Sequence, residues 1–176
     1  MKLPYFLIDA FTDRAFSGNP AAVYVLSTPI PNDLMQKIAA EMNLSETAFV
    51  HQGPGSTTLR WFTPTTEVDL CGHATLASAH ALFTAIDQPQ SGVITFSSAS
   101  GALTCEQTAD GIRLDFPATP PTPVPQNDFI LEHLGITDPV YFGQSKFDYL
   151  IQVASAEQVQ SLTPNFSALA AVATRG

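Results

Sequence analysis

The chain has 176 residues, enough for one large domain or for one domain and part of another. Its formal net charge is −9 and its seven Lys and Arg residues are scattered singly, which argues against nucleic acid or an anionic membrane surface as a partner. No segment reaches the roughly 20 apolar residues that span a bilayer, and acidic residues interrupt the apolar N-terminus, unlike a signal peptide. We therefore expect a cytoplasmic protein in which Cys71 and Cys105 are reduced thiols.

Short β-rich segments and one amphipathic helix occupy the first part of the chain. Segments 5–11 and 21–26 are predicted strands, separated by a Gly-Asn-Pro turn. Residues 32–43 carry apolar side chains at three- and four-residue spacing, which predicts a helix capped by Asn32 or Asp33. Further strands are predicted at 46–52, 57–63, 67–70, 92–97, 102–107 and 111–116.

The segment from Ala74 to Phe83 has no polar stripe, which predicts a helix buried on all sides. Because strands precede and follow it, the predicted fold class is α+β, a curved and mostly antiparallel β-sheet wrapped around a central helix. Cys71, Gly72 and His73 stand at its start, where Ser, Thr, Asp or Asn would normally cap the first turn. An anionic ligand such as a carboxylate would satisfy the free N–H groups and the helix dipole together. A cap from a distant side chain or from water is the alternative.

Glu46, in "MNLSETAFV", stands between the amphipathic helix and a predicted strand, with Ser45 and Thr47 beside it. A glutamate at such a junction is most often a solvated loop residue. The functional alternative is a carboxylate directed into an apolar cleft, where it could accept and return a proton. Both interpretations are open from the residues alone.

Several familiar kinds of site have no signature in this sequence. His51, His80 and His133 form no metal-ligand spacing with each other, with Asp69 or with Cys71, so no metal is predicted. The G-x-S-x-G, P-loop and G-x-G-x-x-G motifs are also absent from the chain, which argues against the commonest hydrolases and nucleotide binders.

A proline-rich segment divides the sequence. Residues 117–125, "PATPPTPVP", contain five prolines and predict an extended, semi-rigid linker. Residues 1–116 have the elements of a complete first lobe. Residues 126–176 are predicted to form two strands and short helices, too little to bury a core alone. We expect this part to be the start of a second lobe, truncated in this chain and marginally stable unless it dimerises or packs against further polypeptide.

Four segments resemble the PhzF-like isomerases, a phenazine-biosynthesis family of the diaminopimelate-epimerase fold. They are "FTDRAFSGNPAAV", "MNLSETAFV", "RWFTPTTEVDLCGHATLASAHAL" and "GIRLDFPATPP". The resemblance implies two similar lobes with an active site between them, no cofactor and a small carboxylated substrate. A homodimer is expected separately, because apolar side chains of residues 126–176 would lack partners within the chain. The resemblance assigns the acid/base glutamate to Glu46 and substrate contacts to Gly72 and His73, with Ser45 beside them. The implied reaction moves a proton away from a carbon next to an activating group and returns it elsewhere.

Two alternatives to this isomerase remain open at the level of the sequence. Cysteine-dependent epimerases of this fold use a pair of thiols, and Cys71 lies where one of them is found, whereas Cys105 is no obvious partner. We therefore favour Glu46 as the acid/base group. The second alternative is a non-catalytic lobe that binds a small anion or oligomerises, and for the 176-residue chain by itself the sequence leaves catalysis undecided.

Overall fold

The computed structural model describes residues 2–85 and 92–174 of the chain. Contacts divide the chain into two compact units, Met1–Pro117 and Ala118–Gly176. Among the described residues, no helix has the length and apolar character needed to cross a bilayer. Both cysteines are free thiols.

The first unit is a curled sheet with a helix against each face. Its strands are β1 (Tyr5–Ala10), β2 (Asn19–Leu26), β3 (Glu46–Gly53), β4 (Ser56–Phe62), β5 (Glu67–Val68), β6 (Val93–Ser98), β7 (Gly101–Thr108) and β8 (Gly111–Asp115). Its helices are α1 (Asn32–Met42) and α2 (Gly72–Thr84). The strand order is β1-β2-β3-β4-β6-β7-β8, with β5 paired to β4. Among the residues that the structure describes, the β2–β3 and β4–β6 pairs are parallel and the other pairs of this sheet are antiparallel. The sheet curls into a half-barrel. The predicted fold class is confirmed.

Helix α2 lies in the concave face of this sheet and begins two residues earlier than predicted, at Gly72. Its alanines let the strands approach closely, and the core between helix and sheet includes the fully buried Trp61. The two buried hydroxyls of α2 are satisfied within the helix, because Thr75 Oγ1 donates to the Cys71 carbonyl at 2.6 Å and Ser78 Oγ donates to the Ala74 carbonyl at 2.7 Å. A helix buried on nearly every side thus carries no unpaired hydroxyl.

Helix α1 packs on the other face of the sheet, and the predicted caps at its start are wrong. The N-cap is Pro31, which has no side-chain donor or acceptor, and Asn32 is already helical. The Asn32 side chain instead accepts a hydrogen bond from Arg60 at 2.7 Å, and Asp33 pairs with Lys37 one turn later at 3.6 Å. The predicted end is confirmed, since Asn43 forms the C-cap in the left-handed region with φ of 51°.

The second unit is a small three-stranded sheet with short helices. Its elements are β9 (Thr122–Pro123), β10 (Tyr141–Gln144), β11 (Tyr149–Gln152), α3 (Asp128–Leu134), α4 (Ala156–Ser161) and α5 (Phe166–Leu169). Strand β9 lies inside the predicted linker, which is therefore extended but also pairs with β10. The unit has four buried apolar core residues, whereas Leu150 on β11 is 50% exposed.

Candidate active site

The starts of β2, β3 and α2 meet at one end of the curled sheet. The parallel pairing of β2 with β3 places Ala21 opposite Glu46. The residues just before Ala21 therefore lie beside the residue just before Glu46. Side chains alternate along β3, and Ala48 and Val50 belong to the core that contains α2. Glu46 shares their face and is therefore directed toward the helix.

All of the site residues predicted from the sequence come together here. Glu46 Oε2 lies 3.5 Å from His73 Nε2, and Cys71 Sγ lies 3.4 Å from His73 Nδ1. Ser45 Oγ lies 3.4 Å from His73 Nε2 and donates to Asn19 Oδ1 at 3.5 Å. His73 and Cys71 are buried, while 22% of the Glu46 side chain is exposed. The interpretation of Glu46 as a solvated loop residue is therefore wrong, and only its open side faces solvent.

The start of α2 has little to satisfy its first-turn N–H groups. Cys71 is the N-cap in an extended conformation, and its side chain makes no capping hydrogen bond of ordinary geometry. A Cβ atom added at Gly72 would meet only the Phe116 ring, at 3.8 Å, which is ordinary contact. Crowding within the unit therefore does not require glycine at this position. Gly72 is half-buried, whereas His73 and Ala74 after it are buried.

Burial lowers the pKa of His73 below its ordinary value, although the Glu46 carboxylate and the Pro20 carbonyl act in the opposite direction. The imidazole is accordingly neutral at pH 7, and its contact with Glu46 is polar rather than an ion pair. Glu46 accepts hydrogen bonds only, and the Ser45 hydroxyl already donates to Asn19. These partners together favour the tautomer with the proton on Nε2, which leaves Nδ1 to accept from Cys71.

Burial raises the pKa of the Cys71 thiol to about 12, and the negative charge of the nearby Glu46 carboxylate adds to the increase. The backbone N–H groups of Ala74 and His73 act in the opposite direction, since they favour the thiolate. The thiol is therefore protonated at neutral pH. Of the three side chains in this cluster, Glu46 is the one that is not buried.

Two residues of the site, Asn19 and Pro20, were not identified as site residues from the sequence. Asn19 and Pro20 read as parts of a turn, yet the Asn19 amide accepts from Ser45 and the Pro20 carbonyl acts on His73. They lie more than twenty positions before Ser45, and only the pairing of β2 with β3 brings them together. The "GNPAAV" segment within the family resemblance was the one signal that could have identified them.

A curled sheet around a buried helix is also the fold of a predicted epimerase from Pseudomonas aeruginosa, whose structure matches 93% of this chain with a TM-score of 0.70 at 21% identity. At that identity the likeness concerns the fold alone.

The chain belongs to the phenazine biosynthesis-like family, because the PhzC-PhzF family model matches residues 8–176. A relative named as an uncharacterized isomerase of Halalkalibacterium halodurans is 50% identical over the whole chain. A PhzF-family crystal structure from Enterococcus faecalis is 42% identical and covers 99% of the chain with a TM-score of 0.86. The chain spans 66% of the length of each of these proteins. The predicted family is confirmed.

Proposed function

We propose that the whole protein carrying this chain is an isomerase that moves a proton on a small carboxylated metabolite by general acid/base catalysis, without a cofactor. The observation that carries the proposal is the Glu46 carboxylate held beside the open start of α2. The family and the isomerase names of its relatives support the reaction class.

The substrate carboxylate would bind the N–H groups of Gly72, His73 and Ala74, at the positive end of the α2 dipole. This binding directs the adjacent C–H bond toward Glu46, which takes the proton as the electron pair delocalises into the neighbouring unsaturated or carboxyl group. The protonated Glu46 then returns the proton to another carbon, so that the enzyme ends unchanged. The imidazole Nε2–H of His73 would hold the Glu46 carboxylate in place, with Ser45 beside it as a further contact to the substrate.

A cysteine-assisted epimerase is the second enzyme chemistry. It requires a thiolate base, and the pKa of about 12 keeps Cys71 protonated at neutral pH. In our proposal the thiol donates to His73 Nδ1 and so helps to keep the Nε2 proton of that ring directed at Glu46. The substitution Cys71→Ser, which keeps a donor, should then retain most of the activity, whereas a thiol base would be lost in this variant.

A proton-exchange assay distinguishes the isomerase hypothesis from the alternative, a non-catalytic lobe that binds anions. The whole protein is incubated in D₂O with a panel of small carboxylates that carry an acidified C–H bond, and deuterium at carbon is measured by mass spectrometry. Glu46→Gln should reduce exchange by about 100-fold or more and leave carboxylate binding, measured by calorimetry, largely intact. Glu41→Gln, at an exposed position of α1, is the matched control and should exchange at the wild-type rate. Binding without exchange in the wild-type protein would support the non-catalytic lobe instead.

A homodimer is also part of this proposal. Support comes from exposed apolar side chains on the second unit, among them Leu150 on β11 and Val159 on α4. An exposed edge strand with apolar neighbours favours association. Sedimentation velocity of the whole protein tests this point, since a monomer at all concentrations would contradict it.

A further inference from the structure

We propose that Glu46, Cys71 and His73 form a binding site for Zn²⁺ or a similar thiophilic divalent cation, and that the bound ion inhibits the isomerase. One sulfur, one imidazole nitrogen and one carboxylate oxygen, all within 4.8 Å of one another, make up this set. Thiolate, imidazole and carboxylate are the ligand types that Zn²⁺ takes in proteins. The inhibition rests on the proposed function, but the binding does not.

The spacing of these atoms is close to that of a tetrahedral site. Metal–ligand bonds of about 2.0–2.3 Å place neighbouring ligand atoms roughly 3.3–3.7 Å apart. Cys71 Sγ and His73 Nδ1 are separated by 3.4 Å, within this range. Judged from the 4.8 Å limit and the same bond lengths, the Glu46 carboxylate needs to approach the other ligand atoms by up to roughly 1.5 Å to complete the set. Its side chain is partly exposed, so this movement is toward an open side of the cluster.

The surroundings of His73 suit a metal ligand. If Nδ1 binds the ion beside Cys71, Nε2–H remains free to donate to Ser45 Oγ, 3.4 Å away. Metal-bound histidines regularly donate their second ring N–H to an oxygen, which fixes the ring orientation. Cys71 and His73 are buried while Glu46 opens to solvent, so the fourth position would face the side from which water or a substrate carboxylate enters.

Occupation of the site changes the chemistry of the cluster in a defined way. The Cys71 S–H bond breaks, a sulfur–metal bond forms, and the proton leaves to solvent. A Glu46 oxygen bound to the metal can no longer accept a proton from a substrate carbon. Zn²⁺ should therefore act as a reversible inhibitor that a chelator removes.

Cobalt(II) is the probe for binding, because a cobalt–thiolate bond gives a ligand-to-metal charge-transfer band that carboxylate or imidazole ligation does not. The metal-free whole protein is titrated with Co²⁺, and Zn²⁺ is then added to displace it. We expect a charge-transfer band that saturates at one Co²⁺ per chain. Cys71→Ala and Cys71→Ser should abolish the band, and His73→Asn and Glu46→Gln should weaken binding at least ~10–100-fold, the usual effect of removing even a supporting group.

Cys105→Ala is the matched control, since it removes the other buried thiol and leaves the three ligands in place. Its band should equal that of the wild-type protein, and the near-ultraviolet circular dichroism of every variant should show a native fold. Absence of a thiolate band in the wild-type protein, or its persistence in both Cys71 variants, would overturn the site. A band without inhibition of deuterium exchange would overturn the inhibitory role. Exchange that is absent with and without metal would instead overturn the proposed function and leave the site intact.

Discussion

Cys105 offers a test of how the core of the first unit responds to pH. It lies in β7 with no exposed surface, and burial raises the pKa of its thiol from 9.0 to about 12. Above pH 9 the unfolded chain loses this proton while the folded chain keeps it. The stabilisation from the buried thiol is therefore complete below about pH 9 and is lost as the pH rises toward 12.

The size of the effect follows from linkage. One pH unit in this window changes the free energy of unfolding by about 1.4 kcal/mol per thiol, so a step from about pH 8 to about pH 10 should remove on the order of 1 kcal/mol. Urea denaturation measures this loss through the fluorescence of Trp61, the single tryptophan of the chain, which is fully buried in the first unit. The 176-residue chain is used so that no other tryptophan contributes.

The variant Cys105→Ala isolates the contribution of this residue. At about pH 8 it should be less stable than the wild-type chain by about 1 kcal/mol, because it leaves a small cavity, and this difference should narrow toward about pH 10. Between the two pH values the variant should lose less stability than the wild-type chain, by on the order of 1 kcal/mol. Cys71 and Tyr24, whose pKa values are also raised by burial, titrate in both proteins and cancel. An identical loss of stability in both proteins would refute the reasoning.

Two further predictions concern backbone positions and use the same denaturation assay. A Cβ atom at Gly18 would lie 2.3 Å from the Ala10 carbonyl oxygen, so Gly18→Ala should destabilise the first unit by about 2 kcal/mol or more. A Cβ atom at Gly72 has space, so Gly72→Ala should change stability by less than about 1 kcal/mol. Equal losses of stability in the Gly18 and Gly72 variants would contradict this difference. Asn43 has φ of 51°, so Asn43→Val should cost roughly 1–2 kcal/mol while Asn43→Gly stays near neutral; a stable valine variant would be evidence against the left-handed cap.

Local patterns accounted for most elements of the first unit. The uninterrupted apolar character of α2 predicted burial on all sides, and Asn43 predicted the end of α1, because each property depends on a few neighbouring residues. The cap of α1 could not be obtained in the same way. Asn32 is a good capping residue by type, but it lies inside the helix rather than at the cap. Its side chain accepts a hydrogen bond from Arg60 instead.

The sequence by itself determined the family and the curled sheet around an apolar helix, and it provided the candidate site residues. Only the tertiary structure decided that Glu46 is directed at His73 and Cys71, that Asn19 and Pro20 join them, and that the set has the spacing of a metal site. Periodicity and capping are properties of short segments and can be read along the chain. The contacts of Glu46 instead depend on the parallel pairing of β2 with β3 and on the packing of α2, which join residues more than twenty positions apart.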